Sequence, residues 1–108
     1  MSKFKVLYDD EADSLLVYRE DRKTSASIRL GEIIVNLDSS YRVCAIEILN
    51  PDLLYKIDKQ KFSWISSASI QIQQRGPVLW MYVILSFGPQ EEPETLPVQL
   101  QMERALSV

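Results

Sequence analysis

Two stretches decide the fold class: Tyr8-Asp9-Asp10-Glu11-Ala12-Asp13-Ser14-Leu15-Leu16-Val17, and Ile33-Ile34-Val35-Asn36-Leu37-Asp38-Ser39-Ser40-Tyr41-Arg42-Val43-Cys44-Ala45-Ile46-Glu47-Ile48-Leu49-Asn50. Each reads as strand, polar turn, strand. In the first, Phe4, Val6 and Tyr8 alternate with Lys3, Lys5 and Leu7, and after the acids Leu15 and Val17 alternate with Leu16 and Tyr18. A period of two marks a half-buried strand. The connection Asp9 to Asp13 suits a hairpin turn, because Asp side chains bond nearby backbone amides there.

The alternation continues outward. Ala26, Ile28 and Leu30 predict a third strand after a charged loop at Arg19 to Thr24. Gly31-Glu32 is a tight turn or bulge, and Ile33, Val35 and Leu37 form one face of a fourth strand. After the turn Asp38-Ser39-Ser40, the pattern assigns Cys44, Ile46 and Ile48 to the inner face of a fifth strand, opposite Val43, Ala45 and Glu47. Asn50-Pro51-Asp52 carries helix-start signals: an N-cap residue, a proline at the first position and an acid in the first turn. A short helix is expected from Pro51 to about Lys59.

Strands then resume. Ala68, Ile70 and Ile72 alternate with polar residues up to a turn at Gln74 to Pro77. Leu79, Met81, Val83, Leu85 and Phe87 oppose Trp80, Tyr82 and Ile84, so this strand is apolar on both faces and expected to be central. Gly88 to Glu94 is an acidic, proline-rich linker, and Val98, Leu100 and Met102 suggest a last strand, either at an edge or added to a partner. The expectation is a mainly β, small antiparallel sheet domain built of hairpins with one short helix. Residues 1–108 are expected to form a single domain, with a β half at 1–54, a helix-turn and hairpin extension at 55–88, and a linker with C-terminal strand at 89–108.

Composition bounds the chemistry. The chain is 46% hydrophobic and 25% charged with a net charge of −3, and its nearest basic cluster, Arg19 to Lys23, is interrupted by Glu20 and Asp21. That is no nucleic-acid footprint. The single cysteine excludes an internal disulfide, and the apolar run Val78 to Leu85 is too short to span a bilayer. The N-terminus lacks the apolar run of a signal peptide, so a cytoplasmic location is expected. Histidine is absent, which removes the commonest general base and transition-metal ligand and excludes Ser-His-Asp and Cys-His systems.

At Tyr8, Asp9, Glu11, Ala12, Asp13 and Leu15, and again at Ile46, Glu47, Ile48 and Leu49, the chain resembles a family known as domain of unknown function 2283. That family opens on Tyr-Asp-x-Glu-Ala-Asp-x-Leu and closes on Ile-Glu-Ile-Leu, with an acid matching Asp38 before its turn. The chain departs from it at Asn36, where the family has an acid, and at Tyr41 and Ala45, where it has glycines. The resemblance covers the first half of the chain. It implies a compact β-rich fold and no established activity. Some members are encoded beside small toxin-like proteins, which the resemblance turns into an expectation of partner binding.

Four constellations are candidates. Asp9, Asp10, Glu11 and Asp13 offer oxygen ligands to a hard cation, though without EF-hand spacing; bonding of turn amides by Asp9 and Asp13 is the simpler reading. Asp38 and Glu47, on paired strands, are a possible carboxylate pair, with pairing of Glu47 to Arg29 or Arg42 as its plainer alternative. Cys44 is expected to be a buried, quiet thiol. Trp64, Trp80 and Tyr82 form a prospective ligand platform or interface, and Trp80, Tyr82, Ile84 and Leu100 are the interface candidates. The expected function is a non-enzymatic protein-interaction module, a homodimer or a binder of a small partner protein, with no cofactor, nucleic acid or membrane. The alternatives are a carboxylate-based, divalent-metal-dependent enzyme and a small-ligand binder.

Overall fold

The computed structural model describes residues 4–89 and 91–101, and for 100–101 the backbone alone. Lys3, Gln90, Met102 and Glu103, which entered the sequence reading, lie outside the described residues. The described chain forms two antiparallel sheets and only short helices, as the alternation predicts. β1 (Lys5–Asp9), β2 (Ser14–Tyr18), β3 (Ala26–Leu30), β4 (Ile33–Leu37) and β5 (Val43–Leu49) make a five-stranded sheet in the order β1-β2-β5-β4-β3. β6 (Ser67–Arg75), β7 (Val78–Ser86) and β8 (Glu94–Gln101) make a three-stranded sheet with β7 in the centre.

One core joins the two sheets. Leu15 and Val17 of β2, Val35 of β4 and Ile46 and Ile48 of β5 share it with Leu79, Met81, Val83 and Leu85 of β7 and with Leu96 and Val98 of β8. The inner face of β7 is therefore covered within the chain, and its outer face, Trp80, Tyr82 and Ile84, is half-buried. β8 pairs with β7 of the same chain, Leu96 opposite Val83 and Val98 opposite Met81. As an edge strand it tolerates Pro97, which has no N–H to donate, and the Pro97 carbonyl accepts a bond from Tyr55 Oη at 3.1 Å.

Strand β5 departs from simple alternation. Its register against β4 shifts at Asn36/Leu37, so that Ala45 faces Asn36 while Val43 faces Leu37. Two residues of β5 thus span one step of β4, the signature of a β-bulge. Val43, expected on the outer side, sits fully buried in the core, and Cys44 lies outside that apolar cluster although it too is buried. The Cys44 thiol instead reaches the Asn36 carbonyl at 3.4 Å and Thr24 Oγ1 at 3.5 Å.

The helical region also differs from its expectation. Helix α1 runs Pro51–Tyr55 and stops at Lys56, which takes the left-handed conformation at φ 56°. Asn50 is itself left-handed and makes no side-chain cap; its side-chain Nδ2 donates to Glu32 Oε2 at 3.0 Å. A 3₁₀ helix, η1 (Lys59–Trp64), follows, capped by Asp58, whose carboxylate accepts the Gln60 N–H at 3.0 Å. Phe62 of η1 enters the core, 1% exposed, and Lys61 anchors the segment through Glu94 at 3.1 Å and over the Phe87 ring.

Candidate functional site

The acidic opening folds as a hairpin turn held by its own side chains. Asp9 Oδ1 accepts the N–H groups of Glu11 and Ala12 at 3.1 and 3.2 Å, the amide bonding expected of it. Asp13 takes another role: it accepts the Tyr8 hydroxyl at 2.6 Å. Burial first, then this hydrogen bond and the neighbouring carboxylates Asp13, Asp52 and Asp10, push the Tyr8 phenol above its ordinary 10.0. The Tyr8 ring stacks on Phe62 with centroids 5.2 Å apart. Tyr55 is likewise pushed up, to about 12, by burial.

The other carboxylates do not converge on this turn. Asp38 follows β4 at the end of the sheet opposite to Asp13. It is buried, accepts the N–H groups of Ser40 and Arg42 at 2.8 and 2.9 Å, and pairs with the Arg42 guanidinium at 2.9 Å. The Arg42 amide, with help from Ser40 and the guanidinium, holds its carboxyl below the ordinary 3.8 against the opposing effect of burial. Glu47 projects from the outer face of β5 and accepts Ser14 Oγ at 3.3 Å; Arg29 donates to the Gly31 carbonyl and Arg42 to Asp38, so neither expected cation pairs with Glu47. Among the described residues, no group of three or more His, Cys, Asp or Glu side chains is placed to hold a metal ion.

The aromatic candidates separate into two places. Trp64 ends η1 and is 63% exposed. Ser66 bonds Ser86, six residues along β7 from Trp80, which is about 20 Å at the strand rise. Trp64 therefore does not share a platform with Trp80 and Tyr82. Those two lie parallel on the outer face of β7, centroids 6.3 Å apart. The pairing register builds that face in rungs: Ser69–Ile84–Thr95, Gln71–Tyr82–Pro97 and Gln73–Trp80–Gln99. None of these nine residues is charged, in a chain one quarter of whose residues are. The first charge on that side of β6 is Arg75, at the turn. Leu100 stands opposite Leu79 in the register, and its side chain lies outside what is described.

The geometry of the first half can now be set against known proteins. Residues 5–50 match the profile of a protein family of unknown function (DUF2283). The DUF2283 span begins at the first residue of β1 and ends one residue past β5, so it coincides with the five-stranded sheet. An uncharacterized protein of Methanocaldococcus jannaschii, MJ0789, is 42% identical over 57 residues, which is 53% of this chain and 49% of the relative. The chain thus spans about half the length of the curated relative it matches. No solved structure matches. The three-stranded sheet and its aromatic face lie beyond the DUF2283 span. No helix among the described residues is long and apolar enough to cross a membrane.

Proposed function

We propose that the protein is a non-enzymatic interaction module that forms a homodimer through the outer face of β6, β7 and β8. The observation that carries this reading is the uncharged face centred on Trp80 and Tyr82. Burying a charge without a partner is costly, so a face free of charge is where a molecule of net charge −3 meets its own copy at least cost. Aromatic centres flanked by amide and hydroxyl side chains have the anatomy of an interface core with a polar rim. A two-fold pairing of this face is self-complementary, as the commonest oligomers are.

The face is small. Strands of nine, nine and eight residues, three abreast, offer about 400 Å² in projection per protomer. That is the low end for specific association, so the dimer is expected to be weak, with a Kd on the order of 10 µM. The test is a charge placed in its centre. Tyr82→Lys should abolish dimerisation in gel filtration while leaving the circular dichroism spectrum and melting temperature of the monomer intact. A Tyr82→Lys protein that elutes as the wild type does at every concentration would refute the assignment.

A further inference from the structure

A second surface, on the opposite side of the molecule from that face, is the outer side of the five-stranded sheet. The inner side shares the core with β7 and β8, so the outer side is turned away from the three-stranded sheet. The pairing registers lay one row straight across the five strands: Leu7, Leu16, Glu47, Ile34 and Arg29. Leu7 is 58% exposed, and Leu16, Glu47 and Ile34 are half-buried. The rows on either side are more polar, with Lys5, Asn36 and Ser27 in one and Asp9 and Ser14 in the other. Most charges here are answered within the chain. Lys5 pairs with Glu20 at 3.0 Å, Arg29 donates to the Gly31 carbonyl at 3.2 Å, and Asp9 accepts two turn amides. Glu47 receives one hydroxyl, Ser14 Oγ at 3.3 Å, and no salt bridge among the described residues reaches it.

A carboxylate in the middle of an apolar row specifies what can cover it. A purely apolar partner surface would strand Glu47 away from water, which is costly. A second copy of the face fits poorly. A two-fold along β5, or along the row itself, sets Glu47 against its own copy. A two-fold along β4 sets it opposite Arg29 but leaves Leu7 and Leu16 uncovered, since β3 alone lies beyond β4. One apolar row between more polar ones suits a single helix ridge better than a second sheet. Neighbouring strands lie about 4.8 Å apart and a helix repeats about every 5.4 Å, so successive turns of a helix laid along the row meet Leu7, Leu16, Glu47 and Ile34 in order. We propose that this face binds an amphipathic helix of a partner protein, with a Lys or Arg in its apolar stripe paired to Glu47. The flanking apolar side chains pack on Leu7, Leu16 and Ile34 and exclude water from the ion pair. This site and the dimer face lie on opposite sides of the two sheets, so both can be occupied at once.

The probe is an acetylated, amidated pentadecapeptide of alanine and glutamine, with leucine at its first, fifth, eleventh and fifteenth positions and lysine at its eighth. Its stripe is symmetric about the lysine, so it fits the row in either direction. It is titrated into ¹⁵N-labelled protein and, in parallel, into the Trp80→Lys variant, so that dimerisation is tested separately. Saturable amide shifts centred on Leu16, Glu47 and Ile34 are expected in both. Replacing the peptide lysine by glutamate should weaken binding about tenfold in the wild type. Glu47→Lys should invert that preference, and Glu47→Gln, which can still accept the Ser14 hydroxyl, should remove it. A lysine preference that survives Glu47→Gln would reflect the net charge of the protein alone and overturn the proposal. So would shifts centred elsewhere, no binding, or shifts confined to the dimerising wild type. Shifts at Leu16, Glu47 and Ile34 that arise in Trp80→Lys from protein concentration alone would assign the face to a second copy of this chain and overturn it as well.

Discussion

The Tyr8 hydroxyl donates a 2.6 Å hydrogen bond to Asp13, joining the two ends of the acidic opening across its turn. Asp9 meanwhile closes the turn from inside by accepting two amides. Tyr8, Asp9 and Asp13 thus each bond within the hairpin turn.

This relationship gives the first prediction. Tyr8→Phe keeps the stacking on Phe62 and removes only the hydroxyl. It should destabilise the fold by about 1 kcal/mol, the size of a partly exposed hydrogen bond to a charged acceptor. In urea unfolding, Tyr8→Phe combined with Asp13→Asn should cost less than the sum of the two single changes, because both break one interaction. Strict additivity would show that the bond contributes nothing.

Phe62 carries a larger effect. It is 1% exposed, the one buried residue of a helix of six that Lys61 also ties to Glu94 and Phe87. Phe62→Ala should destabilise by about 3 kcal/mol or more through lost burial and a residual cavity. Thermal unfolding of that variant close to the wild-type midpoint would contradict the placement of η1.

Asp38 sets an acid limit. Its folded-state pKa lies below the ordinary 3.8, so the folded state binds fewer protons than the unfolded one near that pH. The resulting stabilisation is complete above 3.8 and is lost as the pH falls through the lower folded-state value. Asp21, held at about 2 by the hydrogen bond from the Arg19 guanidinium, acts with the same sign. Melting temperatures should drop steeply below about pH 4. Asp38→Asn should lower the midpoint at neutral pH by about 5 °C and flatten the acid dependence. An unchanged acid profile in Asp38→Asn would assign the loss to other groups.

Tyr41 occupies a left-handed conformation, φ 60°, at the place where the family it resembles has a glycine. A side chain there is strained by roughly 1 kcal/mol. Tyr41→Gly should therefore raise stability by at most about 0.5 kcal/mol, once the greater unfolded-state freedom of glycine and the contribution of the Tyr41 side chain are subtracted. A loss of stability in urea unfolding would show that Tyr41's side chain contributes more than its backbone costs.

The strands were legible because alternation is local: Leu15 and Val17, or Leu79 to Leu85, announce their buried side without knowledge of any partner. What was hidden depended on partners. The bulge that turns Val43 inward exists only in the register against Leu37, and no pattern within Val43-Cys44-Ala45 signals it. The end of α1 was hidden for a similar reason: Lys56 adopts the left-handed cap that glycine usually announces. η1 has no apolar period of its own, and Phe62 is its one buried residue. Among the acids, Asp9 was readable from its turn. The fates of Asp13, Asp38 and Glu47 were set by Tyr8, Arg42 and Ser14, the last of these 33 residues away in sequence from the glutamate it bonds. The aromatic side of β7 was readable; that its neighbours on β6 and β8 are all uncharged required the two registers.

Sedimentation equilibrium tests the central claim most directly. The wild-type chain should pass from the mass of one 12.5 kDa protomer toward twice that mass across about 1 to 100 µM, the range around the expected Kd. Trp80→Lys should remain at the mass of one protomer throughout. A wild-type protein that is monomeric at the top of that range, or a dimer that Trp80→Lys leaves intact, would contradict the account.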